Sequence, residues 1–142
     1  MTNEDFYESA IRHWIGGCIL DQSEEYDSAV CLYGFAAECA LKMIMQRVNN
    51  NGNVRKYSHF GEALFQDITM MLSGDMVLAG MADPAWGLRL SSMHLPDILF
   101  RDHSERRYFK DHVYSKADAG ECRAAAEHLI RETASLCLDG YI

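Results

Sequence analysis

Apolar positions recur at steps of three and four along almost the whole chain, the spacing of one face of an α-helix. Tyr7, Ile11, Trp14 and Cys18 form the first such stripe, opened by Thr2-x-x-Asp5, which resembles a capping box. Gly16 and Gly17 lie inside it; each weakens a helix by about 1 kcal/mol relative to alanine. They therefore predict either a close-packed neighbour or an early end to the helix. Asp21-Gln22-Ser23 makes a short connection, with Ser23 as N-cap of a second helix and Glu24 and Glu25 in its first turn. That helix is expected from Glu24 to about Val48 and is apolar on nearly every face between Ala29 and Met45, the mark of a helix surrounded by others. So short a link predicts that the first two helices run antiparallel.

Asn49-Asn50-Asn51-Gly52-Asn53 is a stop and turn. Ser58 can cap a third helix with the stripe Phe60, Leu64, Ile68 and Met71, interrupted by Ser73-Gly74-Asp75. Asp83-Pro84 suits a helix start, and Pro96 breaks whatever precedes it. Ser115-x-x-Asp118 opens a last helix with Cys122, Ala126, Leu129, Thr133 and Leu136 on one face, stopping near Gly140. No segment alternates with a period of two, so no strand is expected. Residues 1–142 are expected to form one all-α domain, an antiparallel bundle of four main helices plus one or two short ones.

Composition narrows the class of partner. The chain has 142 residues and a formal net charge of −8, which argues against a generally basic nucleic-acid coat or a polybasic membrane binder. The acidic start, Met1 to Asp5, lacks the order of a signal peptide, and the apolar run from Ala29 to Met45 is short and carries Glu38 and Lys42. Five cysteines without a CxxC pair suit a reducing compartment. The expectation is a cytoplasmic protein with no membrane partner.

Two constellations stand out as candidate chemistry. Glu38 and Lys42 are the only charges between Ala29 and Met45, four residues apart in the favourable order for a helix ion pair. They read as a narrow solvated seam on a central helix or as a partly buried pair that orients a site. The second constellation is the polar stretch 101–116, whose formal charge is +2 while the rest of the chain sums to −10. It is the natural place for an anion such as a phosphate.

Inside that stretch Arg107, His112 and Tyr114 have the spacing R-x4-H-x-Y. On a regular helix Arg107 and His112 would point about 140° apart, so a loop or helix entry is needed to bring both to one pocket. An arginine fork can hold a phosphate, a histidine can move a proton near neutral pH, and RNA supplies its own 2′-OH nucleophile. Base, acid and cation then suffice for cleavage without metal. One histidine per chain favours two chains meeting at a two-fold axis.

Ala37-Glu38-Cys39-Ala40-Leu41-Lys42 on a long second helix, Ser58-His59-Phe60 opening the third, and Arg107-Tyr108 before the last helix together resemble the HEPN family. The resemblance implies a helical bundle, commonly dimeric and often encoded beside a minimal nucleotidyltransferase. Many members resemble toxin or defence ribonucleases that cut RNA without metal through an R-x4–6-H motif. Carried over, Arg107 and His112 match that motif, and Tyr114 matches the tyrosine that a partner transferase nucleotidylates to silence the site. Active members usually carry a polar residue directly after the arginine, where this chain has Tyr108. Arg-Tyr at this place is shared with members that bind nucleotides or act as partners of the transferase. On that second reading Glu38 and Lys42 are pocket residues, and Arg106 and Lys110 support the site on either.

Other chemistries lack their signatures. There is no Glu-x-x-His for a di-iron bundle, no HExxH, Walker or Rossmann glycine pattern, and no paired zinc-ligand spacing. No metal or other cofactor is therefore expected. The cysteines read as core residues, Trp14 and Trp86 as core anchors, and His13 and His128 as surface positions on helix bodies.

Overall fold

Helix α1 (Phe6–Gln22) is capped by Asp5, whose carboxylate accepts the N–H of Glu8 at 2.9 Å. Asp5-x-x-Glu8 is the start that forms, and Thr2 lies outside the described residues. A computed structural model describes residues 5–48, 61–73, 89–90, 92–100 and 113–138. Among them are three further α-helices: α2 (Tyr26–Val48), α3 (Gly61–Ser73) and α4 (Lys116–Leu138). A 3₁₀ turn covers Asp97–Leu99, entered from Pro96. No strand occurs among the described residues, and the fold is all-α, as the periodicity predicts. Asn49 to Asn53, Ser58, His59, Asp83, Pro84, Trp86 and Gly140 lie outside the described residues.

The link between α1 and α2 departs from expectation. Ser23 does not cap α2; it ends α1, its N–H shared between the carbonyls of Ile19 and Leu20. The N–H of Glu24 then bonds to Asp21 O and that of Glu25 to Leu20 O, with Glu24 at φ 63°. This is a Schellman ending, in which the residue just past the helix must be left-handed. Glycine normally fills it, and an L-residue there costs about 1–2 kcal/mol. Glu24→Gly is expected to stabilise the fold by about 0.5–1 kcal/mol after the greater entropy of the unfolded glycine chain is subtracted. Urea unfolding checks it; a loss of stability would contradict the turn.

α2 is the central helix. Ala29, Val30, Tyr33, Ala36, Ala37, Ala40, Leu41 and Ile44 are all fully buried, so it is covered on most of its circumference. Among the described residues one segment, Tyr26–Gln46, is long and apolar enough to cross a membrane, and 67% of its most apolar window is buried inside the protein. α1 runs antiparallel to α2: Gly17 meets Tyr33, and nearer the start of α1 the ring of His13 meets that of Phe35. The fully buried line of α1 is Ala10, Gly17 and Asp21, offset from the predicted stripe; Tyr7 and Ile11 are half-buried. The glycine moves the line, because the side nearest α2 is the one with the least side chain.

α4 is as predicted. Ser115 and Asp118 form a reciprocal capping box, each side chain taking the other's backbone N–H at 3.1 and 2.9 Å. Cys122, Ala126, Leu129, Thr133 and Leu136 are buried. The hydroxyl of Thr133 donates to Leu129 O at 2.8 Å, so no polar group is stranded by that burial.

A polar knot ties α1, α2 and α4 together. Tyr33 Oη donates to Asp21 Oδ2 at 3.0 Å, Arg123 reaches the same oxygen at 3.3 Å, and Trp14 Nε1 donates to Arg123 O at 3.1 Å. Burial, a hydrogen bond with Cys18 and the Asp21 carboxylate together hold the Tyr33 phenol protonated far above its ordinary range. Trp14 is half-buried and packs against the core, an anchor as expected.

Candidate functional site

In a helix, residues four apart stand one above the other on a single face, so α2 brings Glu38 and Lys42 together by its geometry alone. Lys42 Nζ lies 2.8 Å from Glu38 Oε1, and the two side chains are 14% and 3% exposed. Glu38 is buried and Lys42 half-buried, so the pair is the partly buried one and not a solvated seam. Its neighbours Ala37, Ala40 and Leu41 are fully buried. Taking an ion from water costs several kcal/mol even after relaxation, and the opposite charge beside it offsets part of that cost.

α1 adds a group that sequence reasoning placed on the surface. The ring centroid of His13 is 5.8 Å from that of Phe35, with the planes tilted by 40°. Burial pushes its imidazole below the ordinary value; the Arg12 guanidinium adds to the shift and the Glu38 carboxylate opposes it. A neutral imidazole offers one donor and one acceptor, here at the α1–α2 seam within the field of Glu38. The clue in the sequence was the glycine pair: His13 is four residues before Gly17 and three after Ala10, on the side of α1 that turns to α2. His128 is where it was expected, on the surface of α4, 3.7 Å from Glu132.

Cys39 lies between the paired charges in sequence and is half-buried. Burial pushes its thiol up to about 11, with Glu38 adding to the shift and Lys42 opposing it. The thiolate is the reactive form, and near neutral pH it is scarcely populated. Cys122 is buried and Cys18 and Cys31 are half-buried, in keeping with their reading as packing residues.

The end of the cationic stretch is anchored at a different place. Asp27, in the first turn of α2, accepts the N–H of Tyr114 on Oδ1 at 2.7 Å and that of Val113 on Oδ2 at 3.2 Å. α2 and α4 therefore start at the same end of the bundle. Tyr114 itself is half-buried against the core. Asp27 and Glu38 are eleven positions apart on one helix, about 16 Å along its axis, so these are two separate places. Arg106, Arg107, Tyr108, Lys110 and His112 lie outside the described residues.

Chemically, the seam can hold polar ligand atoms in fixed directions. An ammonium has three donors, and Lys42 directs one of them to Glu38. A separate cavity of about 530 Å³ opens between α3 and the 93–100 segment, lined by Phe65, Gln66, Met93, Pro96, Asp97 and Phe100. It contains none of the residues selected from sequence. Among the described residues no three histidine, cysteine or acidic side chains converge as a metal site. Compared with known proteins, the chain matches no family model, no curated protein and no solved structure.

Proposed function

We propose that this chain is a HEPN-type helical protein that acts on RNA in the cytoplasm, as a metal-independent endoribonuclease of toxin or defence type. Arg107 carries the charge that builds up on the phosphorane, His112 moves the proton, and Tyr114 is the regulatory neighbour, with Arg106, Tyr108 and Lys110 around them. In a homodimer two imidazoles share the work. One takes the proton of the 2′-OH as its oxygen bonds to phosphorus; the other gives a proton to the departing 5′ oxygen as the P–O5′ bond breaks. The products are a 2′,3′-cyclic phosphate and a 5′-hydroxyl, with no outside oxidant or metal required.

The observation that carries this reading is the placement of R-x4-H-x-Y in a net-positive stretch of an acidic chain. RNA incubated with the purified protein in EDTA is expected to be cut, and Arg107→Ala and His112→Ala are each expected to slow cutting by about a hundredfold or more. Equal rates for all three proteins, or none for any, overturn it.

The burial of the Glu38–Lys42 pair favours a second reading, a non-catalytic module that holds a nucleotide or scaffolds a minimal nucleotidyltransferase. Calorimetry with nucleotides and co-purification with a transferase separate it from the first. Silence in both counts against it.

A further inference from the structure

The geometry points to the cavity between α3 and the 93–100 segment as a binding site for an organic cation with an aromatic body, an arylalkylamine; the inference is independent of the ribonuclease reading. Its volume of about 530 Å³ falls in the range of small-molecule sites, about 300–1,000 Å³. Phe65, Met93, Leu95 and Phe100 line it and also pack against the buried core, while Gln66 and Asp97 in the same lining are exposed. Apolar groups therefore make the floor and polar ones the rim, the arrangement that buries a ligand's body and orients its head. The backbone itself holds the 93–100 wall. Pro96 has a ring-fixed φ of −60°, the Leu99 N–H donates to Pro96 O at 3.0 Å, and the Met93 N–H donates to Leu90 O at 3.2 Å.

Charge selects the sign of the ligand. Among the described lining residues the charged group is the carboxylate of Asp97. Leu95, Pro96 and Asp97 also border a second hollow of about 350 Å³, lined as well by His94 and by Asp118 and Glu121 of α4. Asp118 already accepts the Ser115 N–H, so what it adds is field and not a further contact. In a chain of net charge −8, these carboxylates draw a cation to the Asp97 rim and repel an anion. Phe65 and Phe100 select the body. Aromatic faces attract a cation and pack against flat rings, and the Met93 thioether adds a sulfur contact to a ring. An aliphatic amine would forgo the ring contacts, and a neutral arene would forgo the carboxylate.

The test follows backbone amide shifts of the isotope-labelled full chain with probes that share an indole ring: tryptamine, a cation; tryptophol, its neutral hydroxyl counterpart; and indoleacetate, an anion. Tryptamine is expected to shift the amides of Phe65, Leu95, Asp97 and Phe100 with a Kd of about 1 mM or tighter, the range open to a ligand of this size. Tryptophol should bind about fivefold more weakly, and indoleacetate more weakly still. Asp97→Asn should bring tryptamine down to the level of tryptophol and leave tryptophol itself unchanged, which also shows that the variant is folded. Phe65→Leu keeps an apolar filling against the core and removes the ring; it should weaken tryptamine and tryptophol alike, by about fivefold. A tryptamine Kd weaker than about 10 mM, or shifts that avoid these four amides, overturns the inference. So do equal affinities for tryptamine and indoleacetate, or an Asp97→Asn variant that still prefers the cation.

Discussion

Lys42→Met should destabilise the protein by about 3–5 kcal/mol near neutral pH, the cost of leaving a buried carboxylate without its counter-charge. Glu38 is 3% exposed and has fully buried alanines and Leu41 beside it on the helix, so little water reaches it. Glu38→Gln should cost less, because the Lys42 side chain is long, 14% exposed, and able to swing its ammonium outward. The double substitution Glu38→Leu with Lys42→Met should return to within about 1 kcal/mol of wild type, since a packed apolar pair replaces buried ions at little net cost. Urea unfolding at pH 7 measures all of this. A Lys42→Met loss below 1 kcal/mol would mean that the pair is exposed in solution.

The second large effect is at Gly17. A Cβ there would stand 2.6 and 2.7 Å from two ring carbons of Tyr33, closer than real atoms approach. The ring cannot yield easily, because it is fully buried and its hydroxyl is bonded to Asp21, which Arg123 also holds. Gly17→Ala should therefore lose about 1–3 kcal/mol net, although alanine is the better helix former by about 1 kcal/mol. Gly16→Ala is the internal control. Its Cβ would meet only Leu32 Cδ1 at 3.2 Å, the end of a flexible side chain, so propensity should win and the change should be neutral or mildly stabilising. Opposite signs at adjacent glycines, read as thermal midpoints, are the expected outcome; equal effects would contradict the α1–α2 packing.

These cases show which features were legible from local pattern. The capping box at Ser115 and Asp118 and the buried face from Cys122 to Leu136 follow from spacing, because cap and stripe are set by residues within one or two turns of each other. α2 is central because its composition between Ala29 and Met45 leaves it almost no polar side to expose. The α1–α2 link was misread for a related reason. Ser23 is as good a cap in isolation as any, and only the backbone bonds of Glu24 and Glu25 to Asp21 and Leu20 make it the end of α1.

The chain by itself determined the helical class, the core line of α4, the i,i+4 meeting of Glu38 and Lys42, and the existence of a net-positive stretch, since each depends on neighbours in sequence. Only the tertiary structure decided that Glu38 is buried with Lys42 half-buried beside it, that His13 meets Phe35 from α1, that Asp21 serves both Tyr33 and Arg123, and that Asp27 grips Val113 and Tyr114. The reason is common to all four. Burial, desolvation and hydrogen bonding between residues far apart in sequence are properties of what packs against a helix face, and a helix shows the same periodicity whatever covers it.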